Sequence, residues 1–170
     1  EGLRDFALLN LLARTGLRTI EASRALFEDL RYEGGDSVLW VQGKGRSAKD
    51  DFVILTEETL EPIEAYLEAR GTLHDGAPIF GSHSNRNQDS GLTTRSISRI
   101  AKDAFRAVGI DNSRVTAHSL RHTAATLALA GGASLGQAQA MMRHSDPKTT
   151  LIYARNLQRH SQAAERAIQF

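Results

Sequence analysis

The densest group of chemically useful side chains is the segment His118-Ser119-Leu120-Arg121-His122. Positions three apart share one face of an α-helix, so His118 and Arg121 are able to converge on one ligand. An arginine fork beside a histidine that gives or takes a proton suits a phosphate or a carboxylate. His118 and His122 have the spacing of a zinc-binding helix, but Ser119 stands where a metalloprotease needs its glutamate. The segment favours an anion site over a metal site, and alone it is equally typical of exposed basic groups at a helix start.

Two earlier segments add cationic groups. Arg18 falls just before a predicted helix, beside free backbone N–H groups that attract an oxyanion. Glu21 follows three residues later and is placed to hold the arginine. Lys44 lies between two glycines at the tip of a predicted hairpin and is free to swing toward a ligand. Each of these signals is also typical of an ordinary surface residue.

The last candidates lie near the C-terminus. His144 precedes Asp146-Pro147, an N-cap followed by a proline suited to the first helical turn. Tyr153 follows within the predicted helix. A lone helical tyrosine is more typical of a packed core. The ordered set of Arg, Lys, His-x-x-Arg, His and Tyr makes Tyr153 a candidate nucleophile.

The elements that must position these residues are mostly helical. Two segments rich in Val, Ile, Phe and Trp, at 37–42 and 52–55, predict a β-hairpin with a long basic tip at 43–51. The fold class is therefore mainly α with a small antiparallel β-sheet (α+β). Apolar periodicity and cap residues predict helices over 5–14, 19–26, 56–70, 94–108, 118–130, 134–142, 146–153 and 161–168.

Composition sets outer limits on the class of protein. A length of 170 residues with 41% hydrophobic and 24% charged residues is typical of one globular domain. The absence of cysteine excludes disulfides, cysteine-ligated metals and thiol nucleophiles. No apolar run reaches the roughly 18 residues that a transmembrane helix needs.

The net charge of +1 conceals two regions of opposite sign. The segment 56–75 has six acidic residues and one basic residue, whereas 86–122 has seven basic and three acidic residues. An anionic partner meets the local field, so a near-neutral total is compatible with a nucleic-acid partner.

The ordered candidates together resemble the catalytic pattern of the tyrosine recombinases, the phage integrase family, over nearly the whole chain. The family's first box, Thr-Gly-Leu-Arg-x-x-Glu, matches Arg18 and Glu21, and its Gly-Lys-Gly turn matches Lys44. The second box, His-x-x-Arg-His, matches His118, Arg121 and His122. The third box matches His144 and Tyr153 at the family's separation.

Three features depart from the family pattern. Arg143 stands where the family usually has glycine, and Lys49 is an alternative to Lys44 because the hairpin tip carries extra residues. The chain also starts at the helix that leads into the Arg18 box. We therefore expect residues 1–170 to be a single catalytic domain, with the family's N-terminal core-binding domain absent from this chain.

The resemblance implies a site-specific DNA recombinase, or integrase, that cleaves and rejoins strands through a 3′-phosphotyrosine without a metal ion or cofactor. In the roles that the resemblance implies, Tyr153 attacks the phosphate while Arg18 and Arg121 clamp it. Lys44 protonates the leaving oxygen, His118 accepts the tyrosine proton, and His144 bonds the phosphate. Glu21 and His122 support these groups.

The implied partner is double-stranded DNA, bound by a protein that is monomeric in solution and tetrameric on DNA in its full-length form. No membrane association is expected. The implied setting is the bacterial cytoplasm, in association with the nucleoid, and the implied task is integration or excision of a mobile element. Three alternatives remain from sequence. They are DNA relaxation of the type IB topoisomerase kind, a DNA-binding module without catalysis, and a helical domain whose His and Arg are merely surface residues, which the ordered set disfavours.

Overall fold

The structure, a computed structural model, describes residues 1–43, 45–83, 90–143 and 146–161. These residues form helices and a three-stranded antiparallel sheet, which confirms the predicted mainly α class with a small sheet. In chain order the elements are α1 (Gly2–Thr15), α2 (Thr19–Ser23), β1 (Leu30–Glu33), β2 (Asp36–Val41), β3 (Asp51–Leu55), α3 (Glu57–Arg70), α4 (Thr94–Ala107), α5 (Ala117–Ala130), α6 (Leu135–Met142) and α7 (Pro147–Ser161).

Helix α1 supplies a large part of the apolar core. Its residues Ala7, Leu8, Leu11 and Leu12 recur at helical spacing and are buried, and the helix contacts both α3 and α5. Each fully buried leucine contributes about 1.5–3 kcal/mol relative to an exposed one. The helix ends at Gly16, which has φ 63° and donates its N–H to the Leu12 carbonyl. The left-handed glycine turns the chain immediately before α2.

The sheet has the order β1-β2-β3, so β2 is the central strand. Leu39 of β2 lies opposite Leu30 of β1 and Val53 of β3. The β2–β3 pair is the predicted hairpin. The sequence does not predict strand β1, because the strand is only four residues long and three of its four side chains are exposed.

Two helix ends differ from the predicted ones. Helix α2 ends at Ser23 and not at residue 26, because Leu26 bonds the Asp29 carboxylate and forms a β-bridge with Pro78. Helix α7 continues to residue 161 and does not end at Tyr153. The last predicted helix, 161–168, lies outside the described residues from residue 162 onwards.

Threonines stand at the start of both α3 and α4, as predicted. The Thr93 hydroxyl accepts the Ser96 N–H at 3.1 Å, so it caps α4. The Thr56 hydroxyl instead donates to the Glu58 carboxylate at 2.7 Å. Within the described ranges, no helix is both long enough and apolar enough to cross a membrane.

Gly16 is the position where the fold depends most directly on glycine. A Cβ there would lie 2.7 Å from the sulfur of Met142, which is fully buried, and 3.4 Å from the Ala124 Cβ, and φ is also positive. We predict that Gly16→Ala lowers the free energy of unfolding by about 1–3 kcal/mol, measured by urea denaturation. Gly109→Ala is the matched control, because it has φ 83° but no atom within 4 Å of the added Cβ. A cost no larger than that of the control would contradict the packing argument.

Candidate active site

The two arginines that the sequence separated by a hundred residues come together between helices. Arg18 is the N-cap residue of α2, and Arg121 lies in the second turn of α5. The Arg121 guanidinium is buried and donates to the backbone carbonyls of Gly16 and Met142. The ends of α1 and α6 therefore fix the direction in which Arg121 points.

Glu21 fixes Arg18, as the sequence suggested. Its side chain has no exposed surface. One carboxylate oxygen accepts the Arg18 guanidinium at 2.8 Å, and the other accepts the Arg18 backbone N–H at 2.8 Å. Burial alone would raise the pKa of Glu21, but the charge and hydrogen bond of Arg143 and the hydrogen bonds of Arg18 outweigh burial and lower it.

Arg143 belongs to the same cluster, although the sequence indicated it only as a departure from glycine. Its guanidinium donates to the second Glu21 oxygen at 2.8 Å. Its carbonyl accepts from the Arg18 guanidinium at 3.4 Å. The available sequence signal was a charged residue directly after a helix, at a position that commonly takes glycine.

His122 on α5 contacts Tyr153 on α7, and His118 lies beside His122. The rings of His118 and His122 meet edge to face with centroids 4.5 Å apart. The Tyr153 hydroxyl hydrogen-bonds to Nδ1 of His122. Helices α5 and α7 are in direct contact, so their packing sets this bond.

Burial shifts the pKa values of His118 and Tyr153 in opposite directions. Burial, followed by the charges of His122, Arg121 and Arg18, lowers the pKa of His118, so this ring is neutral at neutral pH. Burial raises the pKa of Tyr153 despite the opposing charge of Arg121, so the hydroxyl keeps its proton until a base takes it.

These side chains surround a cavity of about 300 Å³. Burial and the charges of Arg18 and Arg143 lower the pKa of Arg121 to about 10, so it remains a cation at neutral pH. Two guanidinium groups at one cavity suit a phosphate, because each is able to bind it with two parallel hydrogen bonds. The cavity is lined by Arg18, His118, Arg121, His122, Asp146, Thr149 and Tyr153.

Two residues of the predicted site, Lys44 and His144, lie outside the described residues, and their roles remain predictions. The alternative lysine, Lys49, is described. Its ammonium group is 2.5 Å from the carboxylate of Asp29, which is buried. Lys49 therefore anchors the β2–β3 connection to the segment before β1.

Comparison with known proteins agrees with this geometry. A sequence profile of the Phage integrase family matches residues 1–160. The chain therefore belongs to the phage integrase family.

Its relatives include the tyrosine recombinase XerA of Pyrococcus furiosus, which is 34% identical over 97% of this chain and 55% of the relative. A crystal structure of XerA recombinase superposes with a TM-score of 0.77 at 28% identity, covering 99% of this chain and 60% of that one. The XerH site-specific recombinase bound to its difH substrate shares the fold, with a TM-score of 0.72 at 24% identity over 89% of this chain and 42% of that one. The chain spans about half the length of the curated relatives it matches.

The buried carboxylate of Glu21 makes a direct prediction about stability. Glu21→Gln leaves two guanidinium groups without their counter-charge, so we expect it to lower the free energy of unfolding by about 3–5 kcal/mol at neutral pH. Because the pKa of Glu21 is lowered below its ordinary value of 4.5, the parent's advantage is full above that pH. It shrinks as the pH falls through the pKa of the folded state.

Urea denaturation of both proteins across this pH range measures the difference. Asp103→Asn is the control, because Asp103 pairs with Arg106 in an exposed ion pair at 3.7 Å and its loss should have little effect. A difference between parent and Glu21→Gln that does not change with pH would show that the charge of Glu21 is not what stabilises the cluster.

Proposed function

We propose that this chain is the catalytic domain of a site-specific DNA recombinase that cleaves and rejoins strands through a 3′-phosphotyrosine. The observation that carries the proposal is that the Tyr153 hydroxyl shares one cavity with the guanidinium groups of Arg18 and Arg121. A nucleophile and two phosphate-binding forks at one place are the parts that phosphoryl transfer needs. Membership of the phage integrase family supports the same chemistry.

In the proposed reaction the Tyr153 oxygen attacks the scissile phosphorus and displaces the 5′-oxygen of the next nucleotide. Arg18 and Arg121 bind the nonbridging oxygens and offset the charge of the pentacoordinate transition state. They supply the positive charge that a metal ion supplies in metal-dependent nucleases. Lys44 protonates the leaving oxygen and His144 bonds the phosphate, as the resemblance to the family implies. Rejoining reverses these steps and needs no nucleotide cofactor, since the intermediate is itself a phosphodiester.

The two histidines have different roles in this proposal. His122 holds the Tyr153 hydroxyl in the resting protein, because it is hydrogen-bonded to it. His118 accepts the proton once a phosphate is bound, because it lines the same cavity and its lowered pKa keeps the ring neutral. Hydrogen bonds to a catalytic base commonly tighten only in the substrate complex.

Helix α4 provides a surface for the DNA that flanks the phosphate. Its residue Ser98 lines a cavity of about 280 Å³ that also includes Arg18, His118 and Arg121. Arg95 and Arg99 are exposed one helical turn apart on either side of Ser98. Exposed arginines bind the phosphates of the DNA backbone electrostatically, and they do so whatever the base sequence.

Double-stranded DNA is therefore the proposed partner. The same proposal includes a monomer in solution that assembles into a tetramer on DNA, and a single domain over residues 1–170. It also includes action on a mobile element and a location at the nucleoid. The competing functions predict different products. A type IB topoisomerase relaxes supercoiled circles without exchanging strands, and a DNA-binding module forms no covalent adduct.

The proposal predicts a covalent adduct that depends on Tyr153. The parent chain should form a protein–DNA species that survives denaturing gel electrophoresis when mixed with nicked duplexes of randomised sequence, because the nick lets the cleaved fragment diffuse away. Tyr153→Phe should abolish the adduct, since it removes only the attacking oxygen. Tyr32→Phe is the matched control, because Tyr32 is an exposed tyrosine on β1. An adduct that persists in Tyr153→Phe would rule out this nucleophile.

A second prediction separates the histidines. Glutamine is able to hydrogen-bond the tyrosine hydroxyl but does not accept its proton at neutral pH. His118→Gln should therefore slow adduct formation by about 10²–10⁴-fold, whereas His122→Gln should slow it by about tenfold or less. Single-turnover rates of adduct formation with a reactive duplex from the pool measure both. The opposite order of effects would assign the base to His122.

A further inference from the structure

Arg143 holds an unusual backbone conformation at the end of α6. Its φ of 50° and ψ of 45° are left-handed, and it is the one non-glycine residue with positive φ in the described part of the chain. An L-residue with a long side chain is disfavoured there, and such positions concentrate at functional sites. The strain persists only if the surrounding contacts favour this particular side chain.

The contacts that hold Arg143 all lie inside the active-site cluster. Its side chain is 7% exposed, and its guanidinium donates to the Glu21 carboxylate at 2.8 Å and to the Met141 carbonyl at 2.7 Å. Its Nε is buried with no hydrogen-bond partner among the described residues. A charge buried this deeply is stable only when it is paired, so Glu21 is the group that keeps Arg143 in place.

The same carboxylate connects Arg143 to the phosphate cavity. Glu21 also accepts the Arg18 guanidinium at 2.8 Å, and Arg18 lines the cavity while Arg143 does not. The carboxylate is thus shared between one arginine at the surface of the cavity and one behind it. Loss of Arg143 would leave the Glu21 side chain free to shift, and Arg18 would shift with it.

We propose that Arg143 is a positioning residue that, through Glu21, fixes the Arg18 guanidinium where it clamps the scissile phosphate. This inference rests on the proposed function and deepens it. Arg143 does not line the cavity itself and acts through its ion pair with Glu21.

The charged groups that face Glu21 come from three elements: Arg18 at the start of its own helix, Arg121 from α5 and Arg143 from the end of α6. Removal of Arg143 takes away one of the cations that favour the ionised carboxylate. The pKa of Glu21 then rises, and the Arg18 clamp loosens at a higher pH than in the parent.

The test compares Arg143→Gln and Arg143→Lys with the parent in single-turnover adduct formation across pH. Glutamine keeps much of the length without the charge, whereas lysine keeps the charge without the fork. Arg143→Gln should be slower by about 10–100-fold at neutral pH, because a small displacement of a clamp costs rate of this order. Its activity should also be lost at a higher pH on the acid side. Arg143→Lys should recover most of the rate and the parent's acid limb.

Two results would overturn the inference. One is an Arg143→Gln rate and pH profile equal to those of the parent. The other is a fall in rate by the same factor at every pH that lysine does not rescue, which marks a purely structural role. If Arg143→Gln does not fold, Arg143→Gly replaces it, because glycine accepts the left-handed backbone and also lacks the charge.

Failure of the inference is distinguishable from failure of the proposed function. A parent that forms no Tyr153-dependent adduct disproves the proposed function alone. The carboxylate of Glu21, followed by ¹³C NMR titration, then still tests the coupling, because its pKa should be higher in Arg143→Gln than in the parent. An unchanged Glu21 pKa would overturn the inference whatever the chain does to DNA.

Discussion

The structure of the site depends on one buried carboxylate. Glu21 has no contact with solvent, and its two oxygens accept hydrogen bonds from Arg18 and Arg143 at 2.8 Å. Arginines that converge on a phosphate repel one another until the phosphate arrives. A buried carboxylate offsets that repulsion without occupying the cavity, because it lies behind the groups that bind the ligand. The protein is thereby able to keep several guanidinium groups close together.

The fold supplies this arrangement from its helix ends. Arg18 stands at the N-cap of α2, Arg143 is the C-cap of α6, and Arg121 bonds carbonyls where α1 and α6 terminate. Helix ends leave backbone groups without intrahelical partners, and the site uses them as acceptors. His118, His122 and Tyr153 instead lie within helices, and the contact between α5 and α7 places Tyr153 against His122.

Most residues of the candidate site could be predicted from the sequence, because the family's boxes are recognisable by their residue types and spacing. Five of the predicted residues line one cavity, namely Arg18, His118, Arg121, His122 and Tyr153, and Glu21 is bonded to Arg18. Their catalytic roles stay predictions. Three features were out of reach for physical reasons. Strand β1 is only four residues long, which is too short for its Leu-Arg-Tyr-Glu alternation to distinguish a strand from a loop. The contribution of Arg143 arises from a backbone angle and from a partner far away in the chain.

The third is the pairing of Tyr153 with His122, which depends on how α5 rotates against α7. His118 and His122 lie one turn apart on the same helix, so a rotation too small to alter any sequence pattern decides which ring faces the tyrosine. The net charge of +1 was similarly uninformative, because it averages an acidic α3 with the basic stretch that contains α4 and Arg121.

The carbonyls that hold Arg121 have a consequence for how such a domain diverges. Mutation changes side chains but leaves a peptide oxygen in place, so the acceptor at position 142 survives any substitution that still fills the space of Met142. At position 16 the acceptor also survives, but the left-handed turn and the Met142 sulfur, 2.7 Å from where a Cβ would lie, together favour glycine. We therefore expect sequence variation among relatives to differ around Arg121. Many residue types should occur at position 142, where only a carbonyl is needed, and few at position 16, where the backbone turns sharply.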